Sequence, residues 1–315
     1  MEFFKSNSNI HFYRLRNVAA LFSIVLFLLS IGALIVFHLN LGLDFTGGTQ
    51  LRLSYQQPVD LNQVRQELLQ GGFVKEEVQS FGDSKTIIVT LSSLVTRAGE
   101  TPEEAKAAQD DMTQKVLQVL PGASFDSREY IGAKVSGQLA YKGLLAVIVA
   151  MLATMIYIAF RFEWRLAVGA LVALVHDPVL ILGVFAFFKI QFDLTALAAV
   201  LTIIGYSLHD TIVVFDRVRE NFRKMRRGTP IEIMNAAINQ TLSRTVISSS
   251  LTFIVVLVLL LFGGPSIHTF SLALVIGILI GTYSSIYVAG SLAVALGLSR
   301  QDLLVASKKA YDAMP

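Results

Sequence analysis

The feature that most constrains this fold is a set of long apolar segments, each long enough to cross a lipid bilayer. Hydrophobic residues make up 54% of the 315 residues and charged residues only 16%, whereas about a quarter of a typical soluble domain is charged. The first segment, 18–39, would form a helix about 33 Å long, enough for a hydrocarbon core about 30 Å thick. We therefore expect a membrane α-helical bundle.

Polar breaks separate the apolar segments and set their direction in the membrane. We predict six transmembrane helices, over 18–39, 139–160, 166–188, 194–215, 246–262 and 270–296. Lys and Arg concentrate on one side of these spans, in the N-terminal segment 1–17, the turn 161–165, the loop 216–245 and the tail 297–315. Because short cytosolic loops are enriched in Lys and Arg, both termini are predicted to be cytosolic.

The segment between the first two spans, 40–135, has the mixed, charged composition of a water-soluble domain. Its apolar alternation and turn signals predict the order strand, helix, strand, strand, helix, strand. That order is typical of an α+β ferredoxin-like sheet with its helices on one face. The charge rule places this domain outside the cytosol. The fold supports many functions, so it assigns no activity.

Two carboxylates lie inside predicted spans, Asp210 in the fourth and Asp177 midway along the third. A carboxylate at the bilayer centre costs about 2.5–3.5 kcal/mol on insertion scales, and such residues usually face a bundle interior or a water-filled path. We therefore predict that Asp210 handles protons. A structural hydrogen bond, or a position at the interface close to Asp216, is the alternative. For Asp177 a supporting role is favoured, because Pro178 breaks the helix there and polar neighbours often stabilise such breaks.

Other polar residues in these spans are predicted to support the carboxylates: His176, Tyr206, Ser207 and His209. The histidines could titrate, but a lone histidine in a bundle is more often a hydrogen-bonded packing residue. Arg244, directly before the fifth span, is the natural cation for Asp210 if the fourth and fifth spans are neighbours. The alternative is an ordinary cytosolic arginine. Small residues at 248–250 and 277–285 favour close helix packing, with a polar transport path as the alternative.

The composition argues against several classes of protein. The chain contains no cysteine, which excludes a thiolate nucleophile and a Cys-ligated metal. No other residues have the spacing of a metal site, so no cofactor is expected. The net charge of +3 could indicate nucleic acid, but the basic residues lie beside apolar segments, so membrane lipid is the expected neighbour.

Two motifs in the chain resemble signatures of the SecF family of bacterial protein-export proteins, which belongs to the RND superfamily. The first, 42–49, follows the first span and contains Asp44, Gly47 and Gly48 in the order Gly-Leu-Asp-Phe-Thr-Gly-Gly-Thr. Its paired glycines also predict a tight turn. The second and more specific motif is 205–221, which contains Asp210.

The likeness to the SecF family covers nearly the whole chain. The patterns at 131–137 and 281–285 also fit. The chain departs from the usual pattern at His209, where Asn is usual, and at 289–291, where Ala-Ser-Pro is usual.

The resemblance implies a subunit of a bacterial inner-membrane complex that acts with SecD and the SecYEG translocon on exported, unfolded polypeptides. It implies use of the proton-motive force, with Asp210 and Arg244 matching the family's proton-handling aspartate and arginine. Na⁺ is the alternative coupling ion. It also implies a transport role without covalent chemistry, so an enzyme is not expected.

Three other functions are alternatives to a proton-driven export subunit. An RND-type exporter of small molecules usually has two six-span repeats in one chain. An intramembrane aspartyl protease would need a Gly-x-Gly-Asp context, which is absent. A passive assembly scaffold would need no proton use.

Overall fold

The computed structural model describes residues 10–73, 76–91, 102–225 and 227–299. Predictions that concern 1–9 and 300–315 fall outside these residues. Six helical segments of the described chain are long and apolar enough to cross a membrane. They are Phe12–Phe37, Ala133–Arg161, Trp164–Phe187, Leu194–Lys224, Pro230–Phe262 and Pro265–Ala295. The predicted six-span bundle is therefore confirmed.

The elements alternate between long membrane helices and a compact α+β insertion. In chain order they are α1 (Arg16–Phe37), β1 (Asn40–Leu41), α2 (Leu43–Thr46), β2 (Gly48–Ser54), α3 (Leu61–Gln70), β3 (Glu77–Phe81), β4 (Asp83–Leu91), α4 (Pro102–Val119), β5 (Ser124–Ile131), α5 (Ala133–Arg161), α6 (Trp164–Phe187), β6 (Gln191–Phe192), α7 (Leu194–Lys224), α8 (Pro230–Phe262), α9 (His268–Ser284), a π-helical turn (Ser285–Ala289) and α10 (Gly290–Ala295). The sixth span consists of α9, the π-helical turn and α10, preceded by a 3₁₀ turn at Pro265–Ile267.

The helices on either side of the predicted loop 216–245 extend far into it. Helix α7 continues to Lys224, and α8 begins at Pro230. A capping box starts α8, in which Thr229 and Glu232 exchange hydrogen bonds with each other's backbone N–H groups. The prediction of a loop over 216–245 was wrong for most of these residues, which are helical. Hydropathy shows where a helix leaves the lipid, but a polar helix can continue beyond that point into water.

Small residues allow the central helices to approach closely. A Cβ added at Gly277 or Gly281 of α9 would press on Ile203 or Ser207 of α7. A Cβ at Gly183 of α6 would collide with Ser30 of α1. Close backbone approach of this kind drives helix association where lipid removes the hydrophobic contribution. Helices α6, α7 and α9 therefore form the buried centre, and α1, α5 and α8 present apolar faces outward.

The inserted domain is a four-stranded antiparallel sheet with the strand order β3–β4–β2–β5. This is the strand order of a ferredoxin-like sheet. Leu51 and Leu53 of β2 and Val89 of β4 are fully buried beneath Val64 and Leu68 of α3. Helix α4 adds Val116 and Leu120 to the same core. Both helices therefore cover one face, as the sequence pattern predicts.

A short parallel strand pair links two distant parts of the membrane bundle. Strand β1 follows α1, and β6 lies between α6 and α7, with Leu41 opposite Phe192. The start of the inserted domain is therefore held against the segment that leads into the first turn of α7.

The core of the inserted domain can be tested with two neighbouring leucines of α3. Leu68 is 1% exposed and Leu69 is 60% exposed. Leu68→Ala should lower the free energy of unfolding of the domain by about 2–5 kcal/mol, because it removes buried methyl groups and leaves a cavity. Leu69→Ala is the matched control. Limited proteolysis of the full chain at rising temperature measures both, and equal effects would contradict the described packing.

Candidate functional site

Asp210 lies on the inner face of α7 and is 3% exposed. Ser249 of α8 donates a hydrogen bond from its Oγ to Asp210 Oδ2 at 3.1 Å. The carboxylate lies 16 residues after Leu194, about 24 Å along the helix axis from the start of α7. Asp210 is therefore buried where α7 packs against α8.

Asp177 is 1% exposed and has more hydrogen-bond partners than Asp210. Its Oδ2 accepts from Ser207 Oγ of α7 at 2.5 Å and from Ser284 Oγ of α9 at 2.7 Å. Its Oδ1 lies 2.9 Å from His176 Nδ1. The Asp177 cluster, defined as these four residues, joins three helices of the bundle.

A second layer of hydroxyl groups extends the Asp177 cluster. Thr211 Oγ1 donates to Ser285 Oγ at 3.0 Å, and Ser285 Oγ lies 2.8 Å from the Gly281 carbonyl oxygen. Ser285 is the first residue of the π-helical turn. Such turns are rare inside α-helices and frequently occur at functional sites. A change of charge on Asp177 would therefore act on α6, α7 and α9 together.

The two carboxylates share α7 as a neighbour. Ser207, which donates to Asp177, lies one helical turn before Asp210. Helix α7 therefore separates two buried acidic positions, one shared with α6 and α9 and the other with α8.

Arg244 lies on the same helix as the Asp210 partner Ser249 but on a different face. Five residues correspond to about 7.5 Å of rise and about 140° of rotation. The Arg244 side chain is exposed and lines a groove with Asp216, Glu220 and Gln240. Among the described residues it forms no ion pair. The pairing of Arg244 with Asp210 stays a prediction, and it would require α8 or the side chain to turn.

The remaining predicted polar residues are divided between the interior and the surface. His176 and Ser207 belong to the Asp177 cluster. His209 is exposed on α7 and lies outside that cluster. The Tyr206 hydroxyl is buried and has no partner within the described part of the chain.

The turn that contains Asp44 connects the inserted domain to the helix of Asp210. The Leu194 N–H, at the first turn of α7, donates to Asp44 Oδ2 at 2.9 Å. Asp193 caps the same helix through the Ala196 N–H at 2.7 Å. Two carboxylates therefore satisfy N–H groups at the positive end of the α7 dipole.

Both predicted glycines of this turn are required by the backbone. Gly47 and Gly48 have φ angles of 68° and 124°, which side chains rarely permit. A Cβ at Gly48 would lie 2.6 Å from the Leu91 carbonyl oxygen. Gly48 is also the first residue of β2, so the turn leads directly from Asp44 into a central strand of the sheet.

Sequence reasoning missed two features of this site. It treated Asp44 only as part of a turn, and no local signal reveals a hydrogen bond to a residue 150 positions away. It gave Ser249 and Ser284 only as members of small-residue segments. Their spacing fits the packing face of a helix, which hides their role as hydroxyl donors to carboxylates.

The fold and site define a class of protein: a six-span membrane subunit with buried carboxylates and a ferredoxin-like domain after its first span. Residues 111–299 match the family described as protein export membrane protein SecD/SecF, C-terminal. Residues 32–59 match the SecD/SecF GG motif. The chain belongs to the SecF family of protein-export membrane proteins.

Curated relatives support this membership over almost the whole length. The chain is 46% identical over 303 residues to protein translocase subunit SecF of Vibrio alginolyticus, covering 95% of this chain and 94% of that protein. It is 42% identical to SecF of Pseudomonas aeruginosa, with 94% of each chain covered.

Two solved SecDF structures resemble this chain. The SecDF structure from Thermus thermophilus has a TM-score of 0.82 at 31% identity, covering 93% of this chain and 39% of that one. SecDF in its super-membrane-facing form has a TM-score of 0.64, also at 31% identity, covering 92% and 39%. The chain therefore spans well under half of each SecDF polypeptide. Because identity and coverage barely differ, the two SecDF structures differ from each other in shape.

The contact between Asp44 and α7 can be tested by hydrogen exchange. Asp44→Ala removes the acceptor for the Leu194 N–H and should cost about 0.5–2 kcal/mol locally. Exchange at the start of α7 should then be up to about 30-fold faster. Asp44→Asn, which keeps an acceptor oxygen, should lie in between.

Asp60→Ala is the matched control for this exchange measurement. Asp60 caps α3 through the Asn62 N–H at 2.9 Å, inside the inserted domain. Its loss should accelerate exchange in α3 and leave α7 unchanged. An unchanged α7 in Asp44→Ala would show that this hydrogen bond does not hold the helix.

Proposed function

We propose that this chain uses the proton-motive force, together with SecD, to promote late steps of polypeptide export through the SecYEG translocon. One observation carries the proposal: the buried carboxylate Asp210 lies on a helix whose outer end is bound to the turn that begins the external domain. A proton taken up at Asp210, midway along α7, can thereby influence the domain bound at the start of that helix.

The energy for such a cycle is available from one charge. Moving one elementary charge through 100 mV corresponds to about 2.3 kcal/mol. That energy changes a two-state equilibrium by about 50-fold, since 1.36 kcal/mol is a factor of ten. In the proposed cycle Asp210 alternates between protonated and ionised forms, and Arg244 favours the ionised form by turning toward it.

The proposed cycle moves the external domain through α7. Asp44 holds the first turn of α7 and lies four residues before β2, a central strand of the sheet. The parallel pair β1–β6 adds a second connection beside it. A tilt or rotation of α7 would therefore act on the domain, which would hold the emerging polypeptide and prevent it from sliding back.

The difference in shape between the two SecDF structures supports this cycle. One of them is described as a super-membrane-facing form, and the chain matches it with a lower TM-score at equal identity. A fold that occurs in two shapes fits a subunit whose helices move during export.

An exposed stripe with polar side chains on the lipid-facing side of α7 supports contact with a second membrane subunit. Thr202, Gly205 and His209 are exposed there at helical spacing. An imidazole facing hydrocarbon would be costly, whereas a neighbouring helix can offer it a partner. SecD is the partner proposed for this stripe, because the chain corresponds to only 39% of the matching SecDF polypeptides.

The family and the six spans make this a multi-pass protein of the bacterial inner membrane. We place the C-terminal ends of α5 and α7 in the cytosol. Ion pairs mark this end, with Arg161 to Asp216 at 2.6 Å and Arg219 to Glu163 at 3.3 Å. Since Lys and Arg favour cytosolic loops, the inserted domain then lies on the opposite, external side.

Export into inverted membrane vesicles tests the role of Asp210. Asp210→Asn keeps the size of the side chain and an acceptor for Ser249 but cannot ionise. The component of export that a proton gradient drives should fall to the level of vesicles that lack this chain. Asp216→Asn, six residues later on the same helix, is the matched control and should retain most of that component.

Full gradient-driven export in Asp210→Asn would contradict the proposal and favour a passive scaffold. Replacing the proton gradient with a Na⁺ gradient in the same vesicles distinguishes the two coupling ions. Export driven by a Na⁺ gradient alone would identify Na⁺ as the coupling ion.

Charge reversal tests the predicted pairing of Asp210 with Arg244. Asp210→Arg and Arg244→Asp should each abolish gradient-driven export, because each places two like charges within reach of one another. The double reversal should recover a measurable part of it. Arg217→Asp, in the same groove as Arg244, is the control and should not be rescued by Asp210→Arg. Indifference to Arg244→Asp would argue against the pairing.

A further inference from the structure

A long groove with mostly apolar walls lies between α1, α6 and the sixth span. Its volume is about 990 Å³. Three apolar side chains of its walls, Ile24 and Leu28 of α1 and Val172 of α6, are each more than 40% exposed. Because these helices span a membrane, exposed apolar side chains on them face lipid. This space, called the α1 groove below, therefore opens sideways into the bilayer.

The two helices that border the α1 groove run side by side in the same direction. Phe27 of α1 stacks on His176 of α6, with ring centroids 6.1 Å apart. Nearer the C-terminal ends of the same helices, Phe37 meets Phe187 edge to face at 5.8 Å. The N-terminal ends of α1 and α6 therefore lie at the same level of the membrane.

That level is the one at which lipid headgroups lie. Arg16 is the first residue of α1, and the exposed Trp164 is the first residue of α6. Tryptophan is enriched where lipid meets water. Trp164 precedes Val168, a wall residue of the groove, by one helical turn and so lies on the same side of α6. The end of the α1 groove at Arg16 therefore lies among headgroups.

The length of the α1 groove matches one leaflet of a bilayer. On α1 its wall extends from Arg16 to Leu28, 12 residues later, which corresponds to about 18 Å of helix. A hydrocarbon core about 30 Å thick gives each leaflet about 15 Å. A lipid with its headgroup beside Arg16 could therefore extend its acyl chain along the whole groove.

A cation without an anionic partner marks the headgroup end of the α1 groove. Arg16 is half-buried, and within the part of the chain that the structure describes it forms no ion pair and no side-chain hydrogen bond. Asn17 lies beside it in the same wall, and its amide can also donate. A guanidinium group fits a phosphate through paired hydrogen bonds, and basic pockets between membrane helices bind anionic headgroups.

We propose that the α1 groove is a binding site for an anionic phospholipid, with its phosphate at Arg16 and an acyl chain between α1 and α6. The apolar walls and the sideways opening select a lipid, and the unpaired guanidinium selects an anionic headgroup. This site does not depend on the proposed use of protons. Only its assignment to the cytosolic leaflet rests on the orientation given in the proposed function.

A lipid in the α1 groove would also contact the sixth span at its π-helical turn. Tyr287 and Val288 of that turn lie in the wall opposite α1. The lipid would thus fill the space between the first and last spans. A ligand that binds only the folded chain stabilises it, so added anionic lipid should raise the melting temperature.

Native mass spectrometry of the full chain, purified in detergent, tests the headgroup. The chain is mixed with equal amounts of phosphatidylglycerol and phosphatidylcholine that carry the same acyl chains. It should retain phosphatidylglycerol at least five times more often. Arg16→Gln should remove this preference, because it keeps a polar side chain without the charge. Arg14→Gln removes the same charge from an exposed position outside the groove and should keep the preference.

A change in the wall tests where the acyl chain lies. Ala20 lines the α1 groove, so Ala20→Phe should fill part of it and reduce retention of both lipids at least fivefold. Val18→Phe, at an exposed position outside the walls, is the matched control and should leave retention unchanged. The melting temperature of each variant without added lipid checks that the bundle has folded.

Three results would overturn the site. Equal retention of the two lipids by the unchanged chain would exclude selection of an anionic headgroup. The same loss of preference in Arg14→Gln as in Arg16→Gln would indicate general attraction to surface charge. Unchanged retention in Ala20→Phe would show that the lipid binds elsewhere. These measurements involve neither a proton gradient nor export, so their outcome is separate from that of Asp210→Asn.

Discussion

Hydrocarbon cannot solvate a carboxylate, and this constraint determines how the centre of the bundle is built. Asp177 and Asp210 each receive hydroxyl donors from neighbouring helices, Ser207 and Ser284 for the first and Ser249 for the second. These donors must come within about 3 Å, so the helices must pack closely. Glycine at 277 and 281 makes that approach possible along the α7–α9 contact. The need to give each buried carboxylate hydrogen-bond donors therefore also requires the helices to pack closely.

The same constraint explains why α7 is connected to the inserted domain. The first turn of a membrane helix leaves N–H groups that need acceptors. Asp193 supplies one acceptor from the same segment, whereas Asp44 supplies another from the start of the inserted domain. The capping requirement of a membrane helix is therefore met by the turn that precedes β2. This hydrogen bond joins the first turn of α7 to the inserted domain.

The sequence was sufficient to predict the six spans and the order of strands and helices along the inserted domain. Both follow from patterns within short windows: apolar runs for the spans, and alternation with turn residues for the sheet. The ends of α7 and α8 were harder to predict. The segment from 216 to 245 is polar, and a polar segment can be either helix or loop, so hydropathy does not locate the helix ends within it. Predictions of turn geometry at Gly47 and Gly48 hold because their positive φ angles have a local cause.

The hydrogen-bond partners of the two carboxylates were not predictable from the sequence. Asp177 was predicted to have a supporting role because of the adjacent Pro178, and the structure gives it partners on three helices. One of them, Ser284, is 107 positions away in the chain. Asp210 stands out by its motif, but its predicted partner Arg244 lies on another face of α8. Contacts between distant segments depend on helix rotation, which short sequence patterns do not fix.

The π-helical turn at Ser285–Ala289 lies between two parts of the sixth span that face different neighbours. Ser284, directly before the turn, donates to Asp177, and Ser285, its first residue, accepts from Thr211; after the turn, Ser291 lines a groove beside α1. One additional residue in a helix rotates everything that follows by about 100°. The number of residues between Ser284 and Ser291 is therefore as constrained as their chemistry. Evolution of this span should tolerate a change of side chain within the turn more readily than a change in its length.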